Sequence, residues 1–260
     1  MNTDLIGKYY LGNGGIGDAL IFLSTFYDDV EEANIVFLEN NIPIIKELFE
    51  LFPKLKKKLI IQNNFDLLKK FYNDKNCIGT GILPKNLDYS KWNKVNIFKE
   101  YKVKEFPNFV NLFVPNKKVD KQMFIQIYGS DVEGPQKQRI ITSEIFKNVY
   151  NEFLSKEGYN LVGTPGLYSS KNSLKSIFET IKGSELLVGV DSFMKTFSAM
   201  CGIRTVVFDN IYDDKYLNNF ENQTDYGHYI FLYPWSKIEF RTNIKSHQKS
   251  YEEFKKSLWN

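Results

Sequence analysis

The sequence predicts an α/β protein made of two doubly wound parallel sheets, and three observations carry that expectation. Short β-branched or aromatic runs alternate with helical apolar spacing as far as Tyr72. The alternation loosens from Asn73 to Val119, and a second series of the same kind runs from Met123 to Phe208. With 260 residues the chain has room for two lobes that each bury a core, since domains commonly hold roughly 100 to 150 residues. The boundary is expected near Asp120, giving an N-terminal domain of residues 1–119, linker included, and a C-terminal domain of residues 120–260.

In the first lobe, Gly7 to Gly12 reads as a strand, followed by a glycine-rich loop and a helix that starts near Asp18. Asn34 to Leu38 is a β-branched strand, Pro43 to Phe52 a helix stopped by Pro53, Lys58 to Gln62 a strand, and Asp66 to Tyr72 a helix. Pro84, Pro107 and Pro115 then interrupt lysine-rich aromatic stretches, which predicts an irregular end to the lobe. In the second lobe the expected strands are Met123–Tyr128, Tyr159–Gly163, Leu186–Val190 and Arg204–Phe208. The helices between them are Ser143–Lys156, Ser173–Lys182 and Phe193–Met200. The tail from Asn210 to Ser246 reads as aromatic and irregular, and a polar helix is expected over Ser250–Leu258. Ligands of open parallel sheets bind beyond the carboxyl ends of the strands, so two such lobes are expected to face a cleft.

Bulk properties narrow the function. Hydrophobic residues at 43% and charged residues at 25% are ordinary for a folded protein, and a formal charge of +3 does not by itself call for nucleic acid or an anionic membrane. The charge is uneven, however: from Leu51 to Lys121 sixteen lysines stand against six acidic residues. Such a lobe is either a solvated lysine-rich surface or a face for an anionic acceptor. Cys77 and Cys201 are far apart and fit a reducing compartment, with no spacing for a zinc site. No apolar run approaches the roughly 20 residues of a membrane span and no signal-peptide pattern opens the chain, so a cytoplasmic protein is expected, at most peripheral at the inner face of a membrane. The only histidines, His228 and His247, lie away from both glycine-rich turns, which argues against a Ser-His-Asp hydrolase and a His-based metal centre.

Four segments carry groups suited to chemistry. Gly12-Asn13-Gly14-Gly15-Ile16-Gly17-Asp18 joins a strand to a helix, and Gly14, Gly15 and Gly17 let a ligand approach the backbone. Asp18 reads either as a first-turn carboxylate that complements the helix dipole or as part of the ligand loop. Asp191 and Ser192 end an apolar strand before a helix, where they fit both an N-cap and a diphosphate or ribose site. Gly129 and Ser130 follow the first strand of the second lobe, and Lys137 and Arg139, ahead of its first helix, are suited to phosphate. Gly163 and Thr164 end the next strand in small residues against which a nucleoside fits.

Together these segments resemble glycosyltransferase family 9, the ADP-heptose lipopolysaccharide heptosyltransferases. The family has a small-residue loop ending Gly-Asp at the start of its first helix, as in Gly14-Gly15-Ile16-Gly17-Asp18-Ala19-Leu20. It has a basic segment about seven residues before a helix phenylalanine, and counting back from Phe146 gives Arg139. Its later motif, a strand then Asp-Ser-Gly-x-x-His-x-Ala-x-Ala-x-Gly and another strand, is similar to Val188 through Phe208, with Asp191, Ser192, Ser198, Met200 and Gly202 in register. The sequence departs from it with Phe193 in place of glycine, Thr196 in place of histidine and Arg139 in place of the usual lysine.

The resemblance implies a GT-B fold of two Rossmann-like domains and an inverting, metal-independent glycosyl transfer with no cofactor. The donor it implies is a nucleotide-diphosphate sugar, an ADP-sugar, held by the second lobe through residues that include Thr196. Asp18 would be the base. The acceptor it implies is a hydroxyl of lipopolysaccharide or another surface glycan. Two alternatives stand beside it: transfer to a modified nucleic-acid base, and a nucleotide-sugar-binding protein without turnover.

Overall fold

The computed structural model describes residues 6–27, 34–39, 42–55, 57–62, 64–80, 108–115, 120–127, 129, 141–162, 173–209 and 236–242. The chain divides into two compact units, Met1–Leu112 and Phe113–Asn260. Two phenylalanines on either side of the division account for its position, which lies upstream of Asp120. Phe109 is fully buried against Tyr27 and Phe52 of the first unit, at centroid distances of 5.8 and 5.3 Å. Phe113 packs on Phe178 and Phe197 of the second, at 4.9 and 5.3 Å.

The first unit contains β1 (Tyr9–Asn13), α1 (Ile16–Phe26), β2 (Asn34–Leu38), α2 (Ile42–Glu50), β3 (Lys58–Ile61), α3 (Phe65–Tyr72) and β4 (Cys77–Thr80). Its sheet is parallel in the order β3-β2-β1-β4. Tyr9 and Leu11 point to one face with Val36, Leu38, Phe71 and Cys77. Phe22, Phe37 and Phe49 fill the core with edge-on ring contacts such as Phe37–Phe49 at 5.3 Å. Gly12 belongs to this packing, because a β-carbon there would lie 2.6 Å from the Phe37 ring. Strand β4 corrects the irregular reading of the stretch after Asn73. Among the described residues it is the last strand of the sheet; its register shifts between its pairings with Tyr9 and Tyr10, and the skipped Ile78 is 41% exposed.

The second unit contains β5 (Gln122–Gln126), α4 (Ser143–Val149), β6 (Asn160–Val162), α5 (Leu174–Lys182), β7 (Leu186–Val190), α6 (Phe193–Met200), β8 (Arg204–Asp209) and β9 (Lys237–Thr242). All neighbours pair in parallel, in the order β6-β5-β7-β8-β9. Hydroxyl or amide side chains cap the helices as their sequences suggest: Thr142 accepts from Ile145 N, Ser173 from Ser176 N and, in the first unit, Asn64 from Leu67 N. The expected helix Ser143–Lys156 changes its winding at Tyr150 and continues to Lys156 as a π-helix, closed by Glu157 N donating to Glu152 O at 3.1 Å.

Strand β9 corrects the reading of the tail as irregular. Its sequence alternates the exposed Lys237 and Glu239 with the more buried Ile238 and Phe240, the period-two pattern of a strand. Arg241 fixes it to the sheet face. The guanidinium grips Glu152 with two bonds of 2.7 Å, donates to Glu239 at 2.6 Å and lies 5.4 Å from the Phe153 centroid. Arg204 lies at the same distance from Phe153 and pairs with Glu157 at 2.8 Å. The expected helix over 250–258 lies outside the described residues.

Candidate functional site

Each sheet reverses its strand order once. In the first the reversal falls between β1 and β4, in the second between β5 and β7. Connections leave such a pair toward opposite faces, so a crevice opens beyond the carboxyl ends of the two strands. The two aspartates singled out in the sequence follow β1 and β7, one at each reversal.

Beyond β1 the chain turns through Gly14, whose φ of +114° lies where L side chains are strained. Gly14 N donates to Leu38 O at 3.1 Å, tying the loop to the end of β2. Gly15 is the N-cap of α1, and the half-buried Asp18 in the first turn accepts a 2.9 Å hydrogen bond on Oδ2 from Gly15 N. A β-carbon at Gly14 would sit 2.3 Å from that same oxygen, whereas one at Gly15 would meet nothing within 4 Å. Asp18 therefore does the structural job of capping α1, and its carboxylate takes up a helix N-terminus that would otherwise suit a phosphate. Gly17 lies partly buried in the same turn. Glu39, which the sequence reading passed over, is a buried carboxylate directly after β2.

Beyond β5 and β7 lies a more enclosed group. Ser192 is the N-cap of α6: its hydroxyl accepts from Met194 N at 3.2 Å and donates to Oε1 of Gln126, the last residue of β5. Gly189 makes that reach feasible, since a β-carbon there would come within 3.1 Å of the Gln126 β-carbon and 3.3 Å of its carbonyl oxygen. Asp191 is buried and its Oδ1 is bonded to the ammonium of Lys195, one helical turn on, which is 1% exposed. Burying an ammonium is feasible because the carboxylate offsets its desolvation. Thr196 is buried and donates its hydroxyl to Ser192 O at 3.4 Å, within the helix.

Of the other expected donor residues, Gly129 is buried just beyond β5. Ser130, Lys137, Arg139, Gly163 and Thr164 lie outside the described residues. Ile127 and Ile141, which flank the stretch with the two cations in the sequence, are joined by Ile141 N donating to Ile127 O at 2.8 Å. Gln126 and Lys195 were missed by sequence reasoning. A polar residue ending an apolar strand, and an Asp–Lys pair at i, i+4 across a helix start, were the available signals.

No family model matches the sequence, and no curated protein does either. Among solved structures the chain is similar to the crystal structure of the glycosyl transferase family 9 from Veillonella parvula, with a TM-score of 0.53 and 11% identity over 100% of this chain and 93% of that one. The fold is GT-B-like. In a GT-B-like chain, each Rossmann-like unit contributes one strand-order reversal, and here each reversal carries a carboxylate. Among the described residues, no helix is long and apolar enough to cross a membrane.

Proposed function

We propose that this protein is an inverting, metal-independent glycosyltransferase that moves a sugar from a nucleotide-diphosphate sugar to a hydroxyl of a surface-glycan acceptor. The observation that carries the reading is the division of labour between the two reversals. The Asp18 carboxylate occupies the helix start at the first, whereas the second has a helix N-terminus capped by Ser192, and the sequence that follows β5 carries Lys137 and Arg139. An anionic diphosphate suits the second and is repelled by the first. The second unit is then the donor side, with Asp191, Ser192 and Gly129 described there and Lys137, Arg139, Gly163 and Thr164 belonging to it by sequence. An ADP-sugar is the donor that the family resemblance favours. The lysine-rich stretch from Leu51 to Lys121 supports an acceptor that carries phosphate or acidic sugars.

In the proposed step the Asp18 carboxylate takes the proton of the acceptor hydroxyl as that oxygen forms its bond to the anomeric carbon. The bond from the anomeric carbon to the diphosphate oxygen breaks, and the nucleoside diphosphate leaves with the electron pair. Lys137 and Arg139 would offset the charge that develops on the leaving group.

The test is a calorimetric screen of ADP-, GDP-, UDP-, CDP- and dTDP-sugars, followed by turnover of the donor that binds. Asp18→Asn is the informative variant, because an amide oxygen can still accept from Gly15 N while it is no base. Turnover is expected to fall by about 10²- to 10⁴-fold with donor affinity unchanged. Full turnover in this variant removes Asp18 as base, and a wild-type protein that binds no nucleotide-sugar removes the transferase reading.

A further inference from the structure

Asn13, Leu38 and Ile61 end three adjacent strands of the first sheet and stand level in register. Side chains alternate along a strand, so Asn13 shares the face of Leu11 and Leu38, which α3 covers with Leu67, Leu68 and Phe71. Gly12 faces the other side, where a β-carbon would meet Phe37 and Phe22 of α1. Asn13 thus closes β1 on the α3 side, and Asp18 follows in the first turn of α1 on the opposite side. Helix α3 joins two parallel strands and runs back along them, so its first residue, Phe65, lies at the same carboxyl end, four residues after Ile61.

Two side chains at this end are not accounted for by the packing of the unit. Phe65 is 66% exposed, while α3 docks on the sheet through other residues. Asn13 is partly exposed, and among the described residues none hydrogen-bonds its side-chain amide. Asn13 and Ile61 are two strand spacings apart, about 10 Å, which is the reach of one or two sugar rings. Gly15, between Asn13 and Asp18 in the chain, adds no obstacle, since even a β-carbon there would meet nothing within 4 Å. An aromatic face beside an amide suits a sugar: the ring's C–H face packs on the aromatic, and its hydroxyls pair with a group that both donates and accepts.

We propose that Phe65 and Asn13 are acceptor-binding residues of the first unit, Phe65 stacking a sugar ring and Asn13 holding hydroxyls, so that a hydroxyl is presented to Asp18. This rests on the transferase reading above and deepens it by naming how the acceptor is read.

The experiment titrates the full chain, by ligand-observed NMR, with the methyl glycosides of glucose, galactose, mannose and N-acetylglucosamine and with methyl lactoside. Phe65→Ala and Asn13→Ala are each expected to weaken the best-binding glycoside by about tenfold or more. Phe65→Trp should keep the affinity, whereas Phe65→Leu, apolar but without an aromatic face, should lose it. Ile78→Ala removes another exposed apolar side chain of the same unit and should change nothing. Calorimetry with the nucleotide-sugar that binds best should give wild-type affinity for all five variants. Melting temperatures are recorded throughout; if Asn13→Ala does not fold, the Phe65 series carries the test.

A wild type that binds none of the glycosides, or a Phe65→Ala that binds them as wild type does, overturns the proposal. Equal binding by Phe65→Leu and Phe65→Trp overturns stacking, and a folded Asn13→Ala with full affinity removes Asn13 from the platform. Failure of the transferase reading shows elsewhere, as a wild type that binds no nucleotide-sugar.

Discussion

At the scale of single residues, glycines show how one residue type serves two ends. Gly12 is required by the Phe37 ring, whereas Gly14 is required by its φ of +114° and by Asp18. Gly14→Ala is therefore expected to destabilise the first unit by more than about 1 kcal/mol, since strain and a clash with the capping carboxylate add. A urea denaturation midpoint measured beside Gly15→Ala, where a β-carbon meets nothing, checks this; equal midpoints would contradict it. Asp18 was visible in the sequence because its glycine-rich setting and helix start are local. Lys195 was not weighed, because its importance lies in burial, and burial depends on how α6 lies on β7 and β8. Gln126 was hidden for a related reason: its partner Ser192 is brought to it by strands that pair across a long stretch of chain.

At the scale of elements, strong periodicity located most of the described strands and helices, and the two strands it missed lie, among the described residues, at sheet edges. Edge strands bury less, so their sequences carry weaker apolar signals. In β9 the missing apolar content is replaced by charge: Arg241 and Glu152 are drawn together by a two-bond grip, and the Arg241 hydrogen bond holds the Glu152 carboxyl below the usual carboxylate range. A depressed carboxyl contributes stability that is present above its unfolded value of about 4.3 and is lost as pH falls through the folded value. Glu152→Gln is thus expected to lower the melting temperature at pH 7 and to match wild type well below pH 4. Both groups are partly exposed, so the effect is about 1 kcal/mol or less. A difference that persists unchanged at pH 3 would show that packing, not charge, joins β9 to the helix.

At the scale of the whole molecule, each unit has a core and a parallel sheet of its own. The fragment from Phe113 to Asn260 is expected to fold alone, giving a cooperative melt by circular dichroism, and to retain nucleotide-sugar binding. The fragment from Met1 to Leu112 is expected to bind none. Retention of the donor by the first fragment instead would reverse the assignment of roles. The two-unit α/β organisation could be read from the sequence because βα alternation repeats on both sides of a looser stretch. The group beyond β5 and β7 could not, because it joins Gln126, Asp191, Ser192 and Lys195 from separate strands and a helix.

The π-helical run from Tyr150 to Lys156 has a consequence for how this chain tolerates changes in length. A turn closed by i→i+5 bonds holds one residue more than an α-turn, so removing the exposed Asn151 would let the run rewind as an ordinary α-helix. The rewound helix would nearly keep its phase, because the wide turn had absorbed one residue, so Phe153 stays close to Arg204 and Arg241 and Glu152 stays near Arg241. A melting temperature that holds on deletion, alongside an unchanged one for Asn151→Ala, would mark Asn151 as an insertion that this segment takes up by unwinding, whereas a marked fall would show that the last strand depends on the wide winding itself.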